Sequence, residues 1–286
     1  MTTPPNLFDR DMLSRRRARA RAIGGADFLH REVAAQISER LEEVNKSFTD
    51  AAIIGPQPAI WAQELALDPD LPALYHVPDD EVLPVKPSAH DLILHGLALH
   101  WANDPVGQLV QARRALRPDG LFIGALFGGQ TLQELRIAFA EAETQVEGGL
   151  SPRVAPMGEI RDLGALLQRA GFAMPVADSS KLSVTYQSPL HLMRDLRAMG
   201  ETNVLTSRRK SPLRRETLQK ACQIYAENFG LPDGRVRATF EVIFLTGWAP
   251  AESQPKPLRP GSAAARLADA LGTTEVAAGE ATPRRK

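Results

Sequence analysis

An α/β fold organised around a largely parallel sheet is predicted by three stretches of this 286-residue chain. Residues 51–65 (AAIIGPQPAIWAQEL) read as an apolar strand, a tight turn and a helix. Asp91–Gly96 (DLILHG) and Leu121–Phe127 are continuous apolar runs of the kind buried on both faces of a sheet. Between them, residues 103–116 carry Val106, Leu109, Val110, Arg113 and Leu116 on related helical turns. Strands separated by helices argue for parallel pairing through right-handed crossovers.

The remaining elements follow in order. Residues 8–45 predict two helices. The first is filled with Arg and Ala over 10–22 and broken at Gly24–Gly25; the second carries Phe28, Val33, Ile37 and Leu41 at helical spacing. Ile53–Gly55 is a strand, 58–66 a helix, and Ala73–Val77 a short apolar run. Arg117–Pro118–Asp119–Gly120 predicts a turn with Gly120 at the positive-φ position. Helices follow at 131–146 and 158–170, the second stopped by Gly171. Residues 173–187 suggest a strand or hairpin, 189–235 a helical insertion broken near Gly200, and Thr239–Trp248 a late strand. Past Pro250 the chain shifts to Pro, Ala, Ser and charge, which predicts a disordered tail. The expected organisation is a helical arm over 1–48, an α/β domain over 49–250 containing the insertion, and a tail over 251–286.

Lysine plus arginine equals aspartate plus glutamate at 34 each, so net charge gives no pull toward nucleic acid, and no nucleic-acid partner is expected. The charge is uneven, however. Arg10 to Arg21 holds six arginines against Asp11, and Arg208 to Arg215 holds five basic residues and no acid. A solvated helix face or loop is the plain reading; contact with an acidic partner, RNA or a membrane surface is the alternative. Membrane contact is expected to be peripheral at most. The single Cys222 excludes an internal disulfide and a cysteine-based zinc site, and lies in an apolar-periodic stretch as a small buried hydrophobe would. No run approaches the roughly 18 apolar residues of a membrane span. No apolar leader precedes Phe8, which leaves no room for an organellar presequence. A cytoplasmic, bacterial protein, at most peripheral to the inner membrane, is the resulting expectation.

The chemistry-bearing positions sit at the strand ends. In nucleoside-binding α/β folds the first strand–turn–helix uses glycines to let the backbone approach the cofactor and to aim a helix N-terminus at it. Here only Gly55 remains, flanked by Pro56 and Pro58, and each proline removes an N–H donor. His95 ends a strand at the carboxyl edge, where open α/β sheets bind ligands; a packed core histidine is the alternative. His90, His95 and His100 are five apart, which fits neither a helix face nor one strand face, and no metal site is expected. Gly128–Gly129–Gln130–Thr131 reads as a strand-to-helix turn whose amides could bind an anion and whose Thr131 could cap the helix. Glu134 and Arg136 then read as surface residues, with a place lining the sheet's edge as the alternative. No nucleophile motif is present, and no catalytic residue is assigned.

FDRDMLSRRRARA (8–20), LALHWANDPVGQLVQARRALRPDGLFIGALFGGQTLQELR (97–136), SPRVAPMGEIRDLGALLQRAGF (151–172) and LRAMGETN (196–203) together resemble the class I methyltransferase-like proteins that help assemble respiratory complex I. The resemblance covers about residues 7–265. HWANDP, FGGQTLQELR and MGETN, in that order, are its specific part. It implies a Rossmann-like class I methyltransferase fold with an N-terminal helical arm and a helical insertion. It implies a protein client such as a complex I subunit, and one mitochondrial member is described as hydroxylating an arginine on such a subunit. It also implies S-adenosylmethionine as cofactor, with Gly55, Asp79, Asp80 and His95 as the positions that would touch it; Asp79 or Asp80 would sit beside the adenine amino group, with turn aspartates as the alternative reading. The departures weaken that site. The first-strand acid is replaced by Ile53, the later loop glycines by Gln57 and Ala59, and too few residues separate Ala59 from Asp79 for a full strand–helix unit. The function expected is therefore an assembly or maturation factor with a degenerate cofactor site, binding S-adenosylmethionine weakly or not at all. An active methyltransferase, or a protein-arginine-modifying enzyme with an atypical site, is the alternative.

Overall fold

A computed structural model describes residues 6–65, 74–255 and 272. Met1–Ala251 belong to one compact unit and Glu252–Lys286 to a second. The predicted tail lies outside the described residues except for 251–255 and Gly272.

The first unit runs α1 (Arg10–Ala22), α2 (Phe28–Glu42), β1 (Ala51–Ile54), α3 (Pro58–Leu65), β2 (Tyr75–Val77), β3 (His90–Gly96), α4 (Pro105–Ala115), β4 (Leu116–Phe127), α5 (Gln133–Glu147), α6 (Ile160–Arg169), β5 (Ala173–Tyr186), α7 (Pro189–Met199), α8 (Arg215–Phe229) and β6 (Val236–Trp248). A single 3-10 turn, Leu99–Trp101, follows β3. The local signals act as chemistry requires. Asp9 caps α1 by accepting from the Met12 amide, and Asp104 caps α4 ahead of Pro105 in the first turn. Gly200, at φ +84°, ends α7 in the left-handed conformation that spares a side chain strain.

The sheet order is β2-β1-β3-β4-β6-β5. β2, β1, β3 and β4 pair in parallel, as predicted, whereas β6 runs antiparallel to both β4 and β5. Residues 173–187 form one long edge strand rather than a hairpin. The alternation of side chains sorts two cores. Ile53, Leu92, Leu94, Leu121 and Ile123 face α2, α3, α5 and α8, while Ile54, Ile93, Phe122 and Ile243 face α4 and α6. These strands are buried on both faces because helices cover both, and each fully buried Ile, Leu or Phe contributes roughly 1.5–3 kcal/mol. At the turn before β4, Asp119 and not Gly120 takes the positive φ, at 63°. Gly120 is needed for space instead: a Cβ there would stand 2.9 Å from the Arg117 carbonyl oxygen. Glu134, read as a surface residue, is buried at 1% exposure and accepts from the Thr239 amide and hydroxyl. Arg136, also read as surface, is half-buried and donates to the Gly129 and Thr131 carbonyls.

Candidate functional site

The carboxyl ends of β1, β2 and β3 meet at Gly55. Its φ of +142° suits glycine, and a Cβ there would lie 2.6 Å from the Gly96 carbonyl oxygen. Its amide donates to Val77 O at 3.1 Å, and its carbonyl accepts from His76 Nε2 at 3.0 Å. Both backbone groups are therefore spent within the sheet edge. Behind it, the fully buried Trp61 of α3 lies against Gly96, so closely that a Cβ on Gly96 would be 2.5 Å from the indole. The indole N–H donates to His30 Nδ1 at 3.2 Å. Burial pushes His30 down to about 4, so it is neutral near pH 7.

Asp79 is buried and held from above by α1. Arg17 Nη1 reaches its two carboxylate oxygens at 2.8 and 2.9 Å, and Arg10 Nη2 reaches one of them at 3.2 Å and the Asp79 carbonyl as well. Burial would raise its carboxyl, but the guanidinium groups of Arg17 and Arg10 outweigh it and hold Asp79 below the usual carboxylate range. Asp80 is exposed. His95, fully buried in β3, bonds Gln108 Oε1 at 3.1 Å; the Gln108 amide in turn donates to the Asp79 and Asp80 carbonyls at 3.3 and 2.9 Å. Burial pushes His95 down to about 4, and its Nδ1 has no partner. Gln108 thus ties His95 to the 79–80 segment, while Gly55 stands on the neighbouring strand, where Ile54 is in register with His95.

Glu201, just after α7, was missed as a functional candidate, although it lies within the MGETN stretch. Its carboxylate accepts from Trp101 Nε1 at 2.8 Å and lies 3.2 Å from His100 Nε2, with 9% of the side chain exposed. Burial would raise it, yet bonding to His100 and its charge, with Arg17 nearby, keep it below the usual range. The arm is pinned here too: Phe8 N donates to Asn103 Oδ1 at 2.8 Å, Asn103 Nδ2 donates back to Phe8 O at 3.1 Å, and Phe8 bridges to Leu205. FDRDML, HWANDP and MGETN, far apart in sequence, converge on one place.

Two sequence expectations are corrected by this geometry. The basic runs are not simply solvated: Arg10 and Arg17 point inward to Asp79, Arg208 pairs with Asp9 at 3.0 Å, and Arg209 pairs with Glu147. Nor are the amides after β4 bare. Gly128 N bonds Glu241 O, Gly129 N bonds Gly158 O, and Gln130 N bonds Glu241 Oε2, while Thr131 Oγ1 donates to Glu241 O instead of capping α5. Beside these elements lies a cavity of about 870 Å³ between α1, α7 and residues 201–213. Its floor includes Phe127, Leu135, Phe139 and Phe240, and its lining contains none of Gly55, Asp79, Asp80 and His95. Among the described residues no three His, Cys, Asp or Glu side chains converge as metal ligands.

A methyltransferase-domain model matches residues 36–124. The chain is 38% identical over 287 residues to the mitochondrial arginine-hydroxylase NDUFAF5 of Danio rerio, covering 92% of this chain and 89% of that one. Against the human NDUFAF5 it is 36% identical over 281 residues, or 90% and 81% of the two chains. The chain belongs to the NDUFAF5 family. The fold is accordingly that of a class I methyltransferase. A more partial likeness joins it to the malonyl-[acyl-carrier protein] O-methyltransferase of Laribacter hongkongensis, 37% identical over 60% of this chain and 56% of that one. The NDUFAF5 relatives from fish, human and mouse are named mitochondrial, which overturns the expectation of a cytoplasmic bacterial protein. That expectation rested on the residues before Phe8, which say nothing of compartment.

Proposed function

We propose that this chain is a methyltransferase-like assembly or maturation factor for respiratory complex I, acting on a protein client, with a degenerate S-adenosylmethionine site. One observation carries the reading: the carboxylate of Asp79, one of the two aspartates expected beside the adenine amino group, is engaged by Arg10 and Arg17 of α1. Two further observations support it. Both backbone groups of Gly55 bond within the protein, and Gln57, at φ +58°, stands where a bare loop glycine would be needed. Displacing two guanidinium groups from a buried carboxylate to admit a neutral amino group costs several kcal/mol, more than one hydrogen bond returns. Gly55, Asp79, Asp80 and His95 are on this reading the remains of a cofactor site, and the arm over 1–48 with the insertion over 189–235 is the surface offered to the client.

Calorimetric titration with S-adenosylmethionine, beside a methyltransferase with an intact loop, tests the cofactor half. No heat and no shift in melting temperature are expected; micromolar binding would overturn it. Co-purification from mitochondria with complex I subunits tests the client half. A second reading, protein-arginine modification, is favoured by the arginine-hydroxylase name of the relatives. Mass measurement of client arginines with and without the protein separates the two: unmodified arginines alongside retained client binding leave the first standing.

A further inference from the structure

The cavity between α1, α7 and residues 201–213 is lined by none of the positions assigned to the cofactor. Its walls divide by chemistry. The floor is aromatic and aliphatic, and Trp101 and Met157 close one side. Its lining carries seven basic residues and one acid, Glu201, which is already bonded to Trp101 and faces His100. Arg153, Arg208 and Arg209 are paired with Glu143, Asp9 and Glu147. Arg16, Arg194, Arg197 and Lys210 have no ion pair among the described residues. Glu201, Glu143, Asp9 and Glu147 are four carboxylates against seven basic side chains, so positive charge is in excess. Three polar atoms of lining residues, Arg16 Nε, Arg153 Nη2 and Thr202 Oγ1, are buried without a hydrogen-bond partner, and of these only Arg153 Nη2 has an ion pair, with Glu143. A buried donor left unpaired in a folded protein is costly, and a ligand that accepts from it removes that cost.

We infer that this cavity binds a small anionic amphiphile, a molecule with one carboxylate-type head and an apolar body. The volume of about 870 Å³ falls in the range of small-molecule pockets, whose apolar lining takes the body of a ligand while a few polar groups fix its head. The cationic excess selects an anion and disfavours a positively charged side chain or headgroup. The arginines of α7 meet the head and the aromatic floor meets the tail. The inference stands apart from the cofactor reading, since the lining includes none of the residues invoked there.

The test uses the full chain and anilinonaphthalene sulfonate, a fluorescent probe with an anionic head and an apolar body. The probe is expected to bind with an emission increase and to be displaced by monomeric dodecanoate but not by dodecyltrimethylammonium. The doubly charge-reversed Arg194→Glu/Arg197→Glu variant changes two exposed positions, so its folding is spared, and it should weaken dodecanoate by about tenfold. Leu135→Trp, which fills the floor, should abolish probe binding at an unchanged melting temperature. Should Leu135→Trp fail to fold, the charge-reversed variant decides alone. Equal displacement by both amphiphiles, probe binding indifferent to the charge reversal, or displacement only by anionic vesicles or an acidic peptide would overturn the assignment.

Discussion

Two halves of the same sheet edge have been finished in opposite ways. Around Gly55, Asp79 and His95 the inherited binding groups are answered from within, amide by carbonyl, carboxylate by guanidinium and imidazole by Gln108, although Arg17 Nε and Nη2 and His95 Nδ1 stay buried without a partner. Around Thr202 and Arg16 the wall of the open cavity is instead cationic and part apolar. In a methyltransferase frame the first half would be kept open for a cofactor. The contrast teaches that a fold can keep its scaffold while open volume and unpaired positive charge move away from the inherited cofactor position.

The strongest way to break the comparison is at its border. Glu201 answers His100 and Trp101 and stands near Arg17. Glu201→Ala should cost about 3–5 kcal/mol by urea denaturation, because it leaves a buried indole N–H and a histidine without a partner. A loss below about 1 kcal/mol would mean that this corner is wet and the sealed half less sealed than described. Next comes pH. Burial lowers His30 and His95 to about 4, while unfolded histidine titrates near 6.5. Above 6.5 both states are neutral; on acidification the unfolded chain takes up protons first, so stability falls between pH 6.5 and about 4 by roughly 1.4 kcal/mol per unit for each histidine. Asp79 and Glu201 have lowered values and lose their contribution only at the acid end of that window and below it. His95→Gln should halve the slope measured by chemical denaturation across that range, and an unchanged slope would show that His95 is hydrated. The smallest effect belongs to the open half. Thr202→Val replaces a buried hydroxyl that bonds nothing, and should leave stability unchanged or raise it by up to about 1 kcal/mol. A loss of that size would place a partner on the hydroxyl.

Most of the frame was legible because the buried strands announce themselves: DLILHG and LFIGALF could only be covered on both faces. The antiparallel pairing of β5 and β6 was not, since alternation fixes which face a side chain takes but not which way its neighbour runs. The site was legible in part. Gly55 and Asp79 were singled out from their positions in the chain, whereas the inward arginines were lost in a run that looked solvated, because Arg10 and Arg17 share one face of α1 with a target 62 residues or more away in sequence. Glu201 and Asn103 stood inside quoted stretches; what the sequence could not give was that HWANDP and MGETN touch.

The stitching of Phe8 to Asn103 and Leu205 has a consequence in time. Thr206 Oγ1 donates to Asn6 O across 200 residues of chain, and Asp9 N donates to Val204 O. During synthesis the arm emerges first and waits, for the seat of α1 is incomplete until residues past 206 have left the ribosome. Closing so long a loop is slow relative to local pairing, so the parallel strands β2-β1-β3-β4, complete by Phe127, pair before the arm docks. Until then Asp79 is an uncompensated acid, and a chain cut short ahead of Val204 would never quench it.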